Sequence, residues 1–66
     1  MLNIDASKIH FGAGFELWSV YFDMVEVGSC CNKGTRITAY DLDENVIGNY
    51  PNGMDAAIAL VKNSQQ

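Results

Sequence analysis

Basic residues are scarce in this 66-residue chain: Lys8, Lys33, Arg36 and Lys62 face eight acidic residues, for a net charge of −4. Binding to a nucleic-acid backbone without sequence preference needs clustered positive charge. Direct nucleic-acid binding is therefore not expected. The one histidine, His10, and two cysteines leave little for catalysis or metal binding. Zinc wants separated ligand pairs, whereas Cys30 and Cys31 are neighbours. Adjacent cysteines bridge each other only with strain, so a disulfide framework is excluded and reduced, cytoplasmic thiols are expected. The chain has no run of 18 apolar residues to span a bilayer. Its first residues, MLNIDASK, lack the basic-then-apolar pattern of a secretory signal.

Apolar residues make up 48% of the chain and aromatic ones 11%, which suits a globule better than a disordered tail. Residues 1–66 read as one domain. A chain this short buries only about 60% of its unfolded surface, so homodimerisation would be a direct way to add buried area.

The pattern predicts an α+β domain: a four-stranded antiparallel meander with one C-terminal helix packed on one face. Leu2, Ile4 and Ala6 alternate with Asn3, Asp5 and Ser7, the period of a half-buried strand. Gly12-Ala13-Gly14 breaks the chain, and Phe15 to Val27 has the aromatic and β-branched content of a second strand. Ser29 to Gly34 reads as a polar loop, Thr35 to Leu42 as strand three, Asp43-Glu44-Asn45 as a turn, and Val46 to Tyr50 as strand four. Asn52 is placed to cap a helix, with Asp55 three residues on and Pro51 barring an earlier start. Met54, Ala57, Ile58 and Val61 form an apolar stripe on that helix, and Ser64-Gln65-Gln66 reads as a fraying tail.

A three-residue loop at Gly12–Gly14 sets Phe11 opposite Phe15. Ala6 then faces Val20, Ile4 faces Phe22, Leu2 faces Met24, and Lys8 lies along Trp18. Closing the last hairpin with Leu42 opposite Val46 sets Tyr40 against Gly48 and Thr38 against Tyr50. Joining the hairpins through Phe22–Leu42 and Met24–Tyr40 puts every core residue of the sheet at an even number. The odd face then carries an apolar group, Ile9, Phe11, Phe15 and Leu17, beside an acidic group with Asp23 opposite Asp41 and Asp5 diagonal to it. Like charges set opposite each other destabilise a sheet, and an open face joining apolar and acidic patches suits recognition.

Gly12-x-Gly14 reads as hairpin glycines, since no strand–loop–helix unit follows. Neither cysteine is expected to reach His10, so no nucleophile–base pair is predicted. No loop has EF-hand spacing, and so small a sheet offers no evident cleft for a glycosidase-like carboxylate pair. No cofactor is expected and no enzymatic role is assigned.

Residues 46–60, VIGNYPNGMDAAIAL, resemble the last-strand-to-helix segment of AP2-type and integrase-arm DNA-binding domains through Gly48, Tyr50, Asp55, Ala56 and Ala57. That resemblance implies a sheet-plus-helix topology and, as an alternative function, a DNA-binding accessory role. Those domains read DNA with basic and aromatic residues on the open sheet face, where this sequence sets Asp5, Asp23 and Asp41. In size, acidity and element content the chain is also similar to small bacteriophage proteins that block host defence, including anti-CRISPR proteins. That similarity implies action in the host-cell cytoplasm. The expected function is an inhibitor-like module that occupies the basic surface of a partner protein, such as a nucleic-acid-binding complex. Asp5, Asp23, Asp41, Asp43 and Glu44 would supply charge, and Phe11, Phe15 and Leu17 apolar anchors. A self-associating structural module is a further alternative.

Overall fold

The computed structural model describes residues 4–65. The α+β class is as expected, but the meander has five strands: β1 (Ile9–Phe11), β2 (Leu17–Phe22), β3 (Val25–Asn32), β4 (Ile37–Tyr40) and β5 (Val46–Tyr50). All pairings are antiparallel between chain neighbours, in the order β1-β2-β3-β4-β5. The helix α1 (Gly53–Ser64) lies across one face of that sheet.

The extra strand comes from a turn that the residue types conceal. Phe15 to Val27 is not one strand, because Asp23 and Met24 form a two-residue hairpin closed by the pair Phe22↔Val25. Both turn residues have positive φ, 51° and 69°, the I′ pattern that Asn-Gly or Asp-Gly usually supplies. Met24 does so with a full side chain. The Ser29–Gly34 stretch is likewise not a loop, since β3 runs through to Asn32. Its polar residues are tolerated because Ser29 and Cys31 point away from the helix, while Cys30 between them is buried.

The first strand is also shorter than expected. Ala6–Lys8 is a 3-10 turn, not a strand, because the Asp5 carboxylate accepts from both the amide and the hydroxyl of Ser7. Leu2 lies outside the described residues, and with it the pairing Leu2–Met24.

The register moves accordingly. Ile9 pairs with Phe22 and Phe11 with Val20, so odd residues of β1 share a face with even residues of β2. Phe22 and Leu42 are not partners, since β3 lies between β2 and β4. In the last hairpin Ala39 faces Gly48 and Ile37 faces Tyr50, one residue off the expected pairing, which turns Thr38 and Tyr40 to the open face. Two irregularities, after Val20 and before Tyr40, each place one extra residue on the partner strand, Val27 on β3 and Ile47 on β5.

The core lies between α1 and the helix-facing row of the sheet. Val20, Cys30 and Ala39 form that row across three strands, and Ala56, Ala57, Leu60 and Val61 cover it. The helical stripe is therefore centred differently from the expected one. Ala57 and Val61 are in the core, Ile58 flanks it, and Met54 sits half-exposed at the rim, while Ala56 and Leu60 carry packing that the expected stripe omits. Gly28 and Ala39 keep the floor beneath the helix low, with Leu60 packed over Gly28, while the Tyr50 ring fills the space over Gly48. The Asn52 cap is as expected: its Oδ1 accepts from the Asp55 amide at 2.8 Å.

Candidate functional site

Topology sorts the charges to the two ends of the sheet. The Asp23–Met24 turn, the 41–45 loop and the segment leading into β1 all lie at one end. That end gathers Asp5, Asp23, Glu26, Asp41, Asp43 and Glu44, six of the chain's eight acidic residues, against Lys8, with the fourth basic residue, Lys62, in the last turn of α1. The opposite end holds the 12–16 loop, the 33–36 turn and the start of α1, with Glu16 and Asp55 balanced by Lys33 and Arg36.

The expected acidic residues thus share an end of the molecule, but not the way the open face was to hold them. Asp23 is in a turn, not on a strand opposite Asp41. Asp5 caps the 3-10 turn, and its carboxyl is held below the ordinary aspartate range chiefly by the Ser7 hydroxyl bond. Asp41 is spent on its own loop, where Oδ1 accepts from the amides of Asp43 and Asn45, each at 2.9 Å. Asp43 and Glu44 are exposed at the tip of that loop. Glu44 carries a φ of 66°.

The expected apolar group is dispersed. Ile9 is in the core, Phe11 sits half-exposed at the edge of the helix-covered face, and Leu17 points from the opposite face. Phe15 projects from the 12–16 loop, 96% exposed. Phe11 and Phe15 lie away from the acids, and Leu17 meets only Glu44, across a depression on the open face. The apolar residues that accompany the acids are Met24, Val25, Leu42 and Val46, all exposed. Met24 and Val25 escape a strand-based reading because aromatic and β-branched residues flank them on both sides, and Leu42 because it continues the strand-like composition of the residues before it.

The uncovered sheet face is mainly polar and aromatic, with Glu26, the partner of Tyr21, as its one strand carboxylate among the described residues. His10, Ser19, Tyr21, Ser29, Cys31, Thr38 and Tyr40 point from it, and the Thr38 hydroxyl donates to Asn49 Oδ1 at 2.6 Å. A shallow depression of about 280 Å³ on this face is lined by Leu17, Ser29, Cys31, Tyr40 and Glu44. The two thiols, both free, are on opposite faces. Burial pushes the Cys30 thiol up to about 11. A thiol reagent at neutral pH is expected to label Cys31 in the folded protein and Cys30 only on unfolding. Mass spectrometry of the singly labelled product checks this, and label on Cys30 at the native rate would contradict it. The raised value also means that stability falls as pH climbs from a free thiol's 9.0 toward 11, where only the unfolded chain is ionised.

Among the described residues, no three of His, Cys, Asp and Glu gather as metal ligands. No helix there is long and apolar enough to cross a membrane. No model of a protein family, no curated protein and no solved structure matches this chain.

Proposed function

We propose that this protein is a binding module whose acidic end docks on the basic surface of a partner protein and, by occupying that surface, inhibits it. The observation that carries the reading is Met24. Its side chain is 88% exposed, and it holds a φ of 69°, where glycine would sit at less cost. A non-glycine residue in the left-handed region marks a place where local stability is given up for something else. Here the thing retained is an apolar knob, flanked by Asp23, Val25 and Glu26 and sharing its end of the sheet with Leu42, Asp43 and Glu44. Apolar anchors inside a ring of one charge sign fit a partner that offers a pocket within a basic rim. Against a DNA-reading role, none of the described strand residues is Lys or Arg.

Met24→Gly separates stability from binding. It creates the favoured Asp-Gly turn, so stability in urea is expected to rise by about 1 kcal/mol while capture of the partner weakens. Asp23→Lys/Asp43→Lys is expected to leave the fold intact and to abolish salt-sensitive capture from a lysate of host cells. Asp41 is kept in that variant because its loop needs it. Capture that ignores salt, Met24→Gly and the double change alike would sink the proposal.

A further inference from the structure

Opposite the acidic turns, a cleft of about 330 Å³ opens between the 12–16 loop and the first turn of α1, lined by Phe11, Gly12, Gly14, Trp18, Gly53 and Met54. Its walls are mostly apolar and aromatic. An apolar cavity of about 150 Å³ already accepts a benzene ring, so this one has room for an aromatic side chain. Beside it stands an unused one. Phe15 follows the cleft residue Gly14 directly and is almost wholly exposed.

The exposure of Phe15 is built into its loop. Gly14 has a φ of 148°, and a Cβ there would collide with the Leu17 carbonyl, so the chain turns outward at this point by a route closed to other residues. Both flanks are tied to the sheet, with the Gly12 amide donating to the Ser19 carbonyl at 2.8 Å and the Asn32 amide to the Glu16 carbonyl at 2.7 Å. A fixed aromatic next to an aromatic-lined cleft on the same protomer is self-complementary. A two-fold axis passing between them fills both clefts at once, as an isologous dimer requires.

Charge selects the same end. Six of the eight acidic residues lie at the other end, whereas this end carries Glu16 and Asp55 against Lys33 and Arg36. Two copies can meet here without bringing their acidic ends together, and the mixed signs allow cross-pairing. We propose that this cleft is a self-association site, in which Phe15 of each copy fills the Phe11–Trp18–Met54 cleft of the other. One phenylalanine supplies about 200 Å², while a standard interface takes about 800 Å² per partner. The dimer is therefore weak and concentration-dependent, and it leaves the acidic ends free and facing outward.

Sedimentation equilibrium up to about 1 mM tests this, a range that reaches weak affinities. The wild type is expected to dimerise, with Phe15→Ala and Met54→Lys each weakening association at least about tenfold without changing the monomer's far-UV circular dichroism. Trp18 is the chain's one tryptophan, so its emission is expected to shift to the blue with concentration in the wild type and not in Phe15→Ala. A wild type that stays monomeric throughout overturns the proposal. So does dimerisation unaffected by Phe15→Ala, which would mean that another surface pairs. Loss of partner capture in Phe15→Ala, without any self-association in the wild type, would assign the cleft to a different protein and overturn it equally.

Discussion

Gly28→Ala is expected to cost about 2–6 kcal/mol, the sum of about 1–3 for a side chain held at disallowed φ and about 1–3 for overpacking. Gly28 lies in β3 beneath the helix with a φ of 156°. A Cβ there would collide with the Tyr40 carbonyl and come within 2.6 Å of Leu60 Cδ2. The first neighbour is backbone of the adjacent strand, which cannot swing aside as a long side chain can. A domain of this size has roughly 3–10 kcal/mol of stability in all. The substitution therefore removes a large share of it, a fall in melting temperature of roughly 10–40 °C. Gly34→Ala is the control. Gly34 also has positive φ, 96°, but no atom lies near its added Cβ, so only the conformational part is expected, about 1 kcal/mol. Equal effects at positions 28 and 34 would mean that the close approach of helix and strand is not what forbids a side chain.

Leu60→Ala carries the second large effect. Leu60 is fully buried and packs directly over Gly28. Truncation is expected to cost about 2–5 kcal/mol through lost transfer energy and the cavity left behind. The two sites are in contact and should couple. Removing Leu60 Cδ2 relieves one of the two collisions made by Gly28→Ala, so the double variant is expected to lose less than the sum, by about 1 kcal/mol. It does not recover fully, because the Tyr40 carbonyl remains. Urea melts of the four proteins measure the coupling, and strict additivity would contradict a shared steric origin.

The helix was legible because its signals are local: Pro51, the Asn52 cap and Asp55 lie within five residues of one another. The antiparallel, sheet-plus-helix class followed from turns and β-branched runs in the same way. What could not be read was the turn at Asp23–Met24, since neither residue advertises a chain reversal and the flanking YF and VEV continue the strand composition. That omission propagated. Without it β3 had no partner to its left, Ser29–Asn32 looked like a loop, and strands two and three seemed to touch directly. A register error of one residue reverses faces, so the open face was assigned acids that in fact occupy turns. The acidic end survives the correction because turns, unlike faces, keep their place at the end of a sheet whatever the register. The apolar partners of that end change: Phe11 and Phe15 give way to Met24, Val25, Leu42 and Val46, and Leu17 keeps only its depression shared with Glu44.

The low floor beneath the helix has a consequence for how the chain acquires its fold. All five strands pair with a chain neighbour, so the sheet can assemble from hairpins as it is synthesised, with little loop entropy to overcome. Yet Val20, Val27, Cys30 and Ala39 stay open to water until residues 56–61 arrive, and glycine and alanine on that floor offer little burial of their own. The strands are made first and secured last. A chain halted before Leu60 would hold a nearly complete set of strands with one greasy side bare, the condition in which sheets find other sheets. The helix is then less a lid on a finished structure than the event that takes the sheet's apolar side out of reach of other chains.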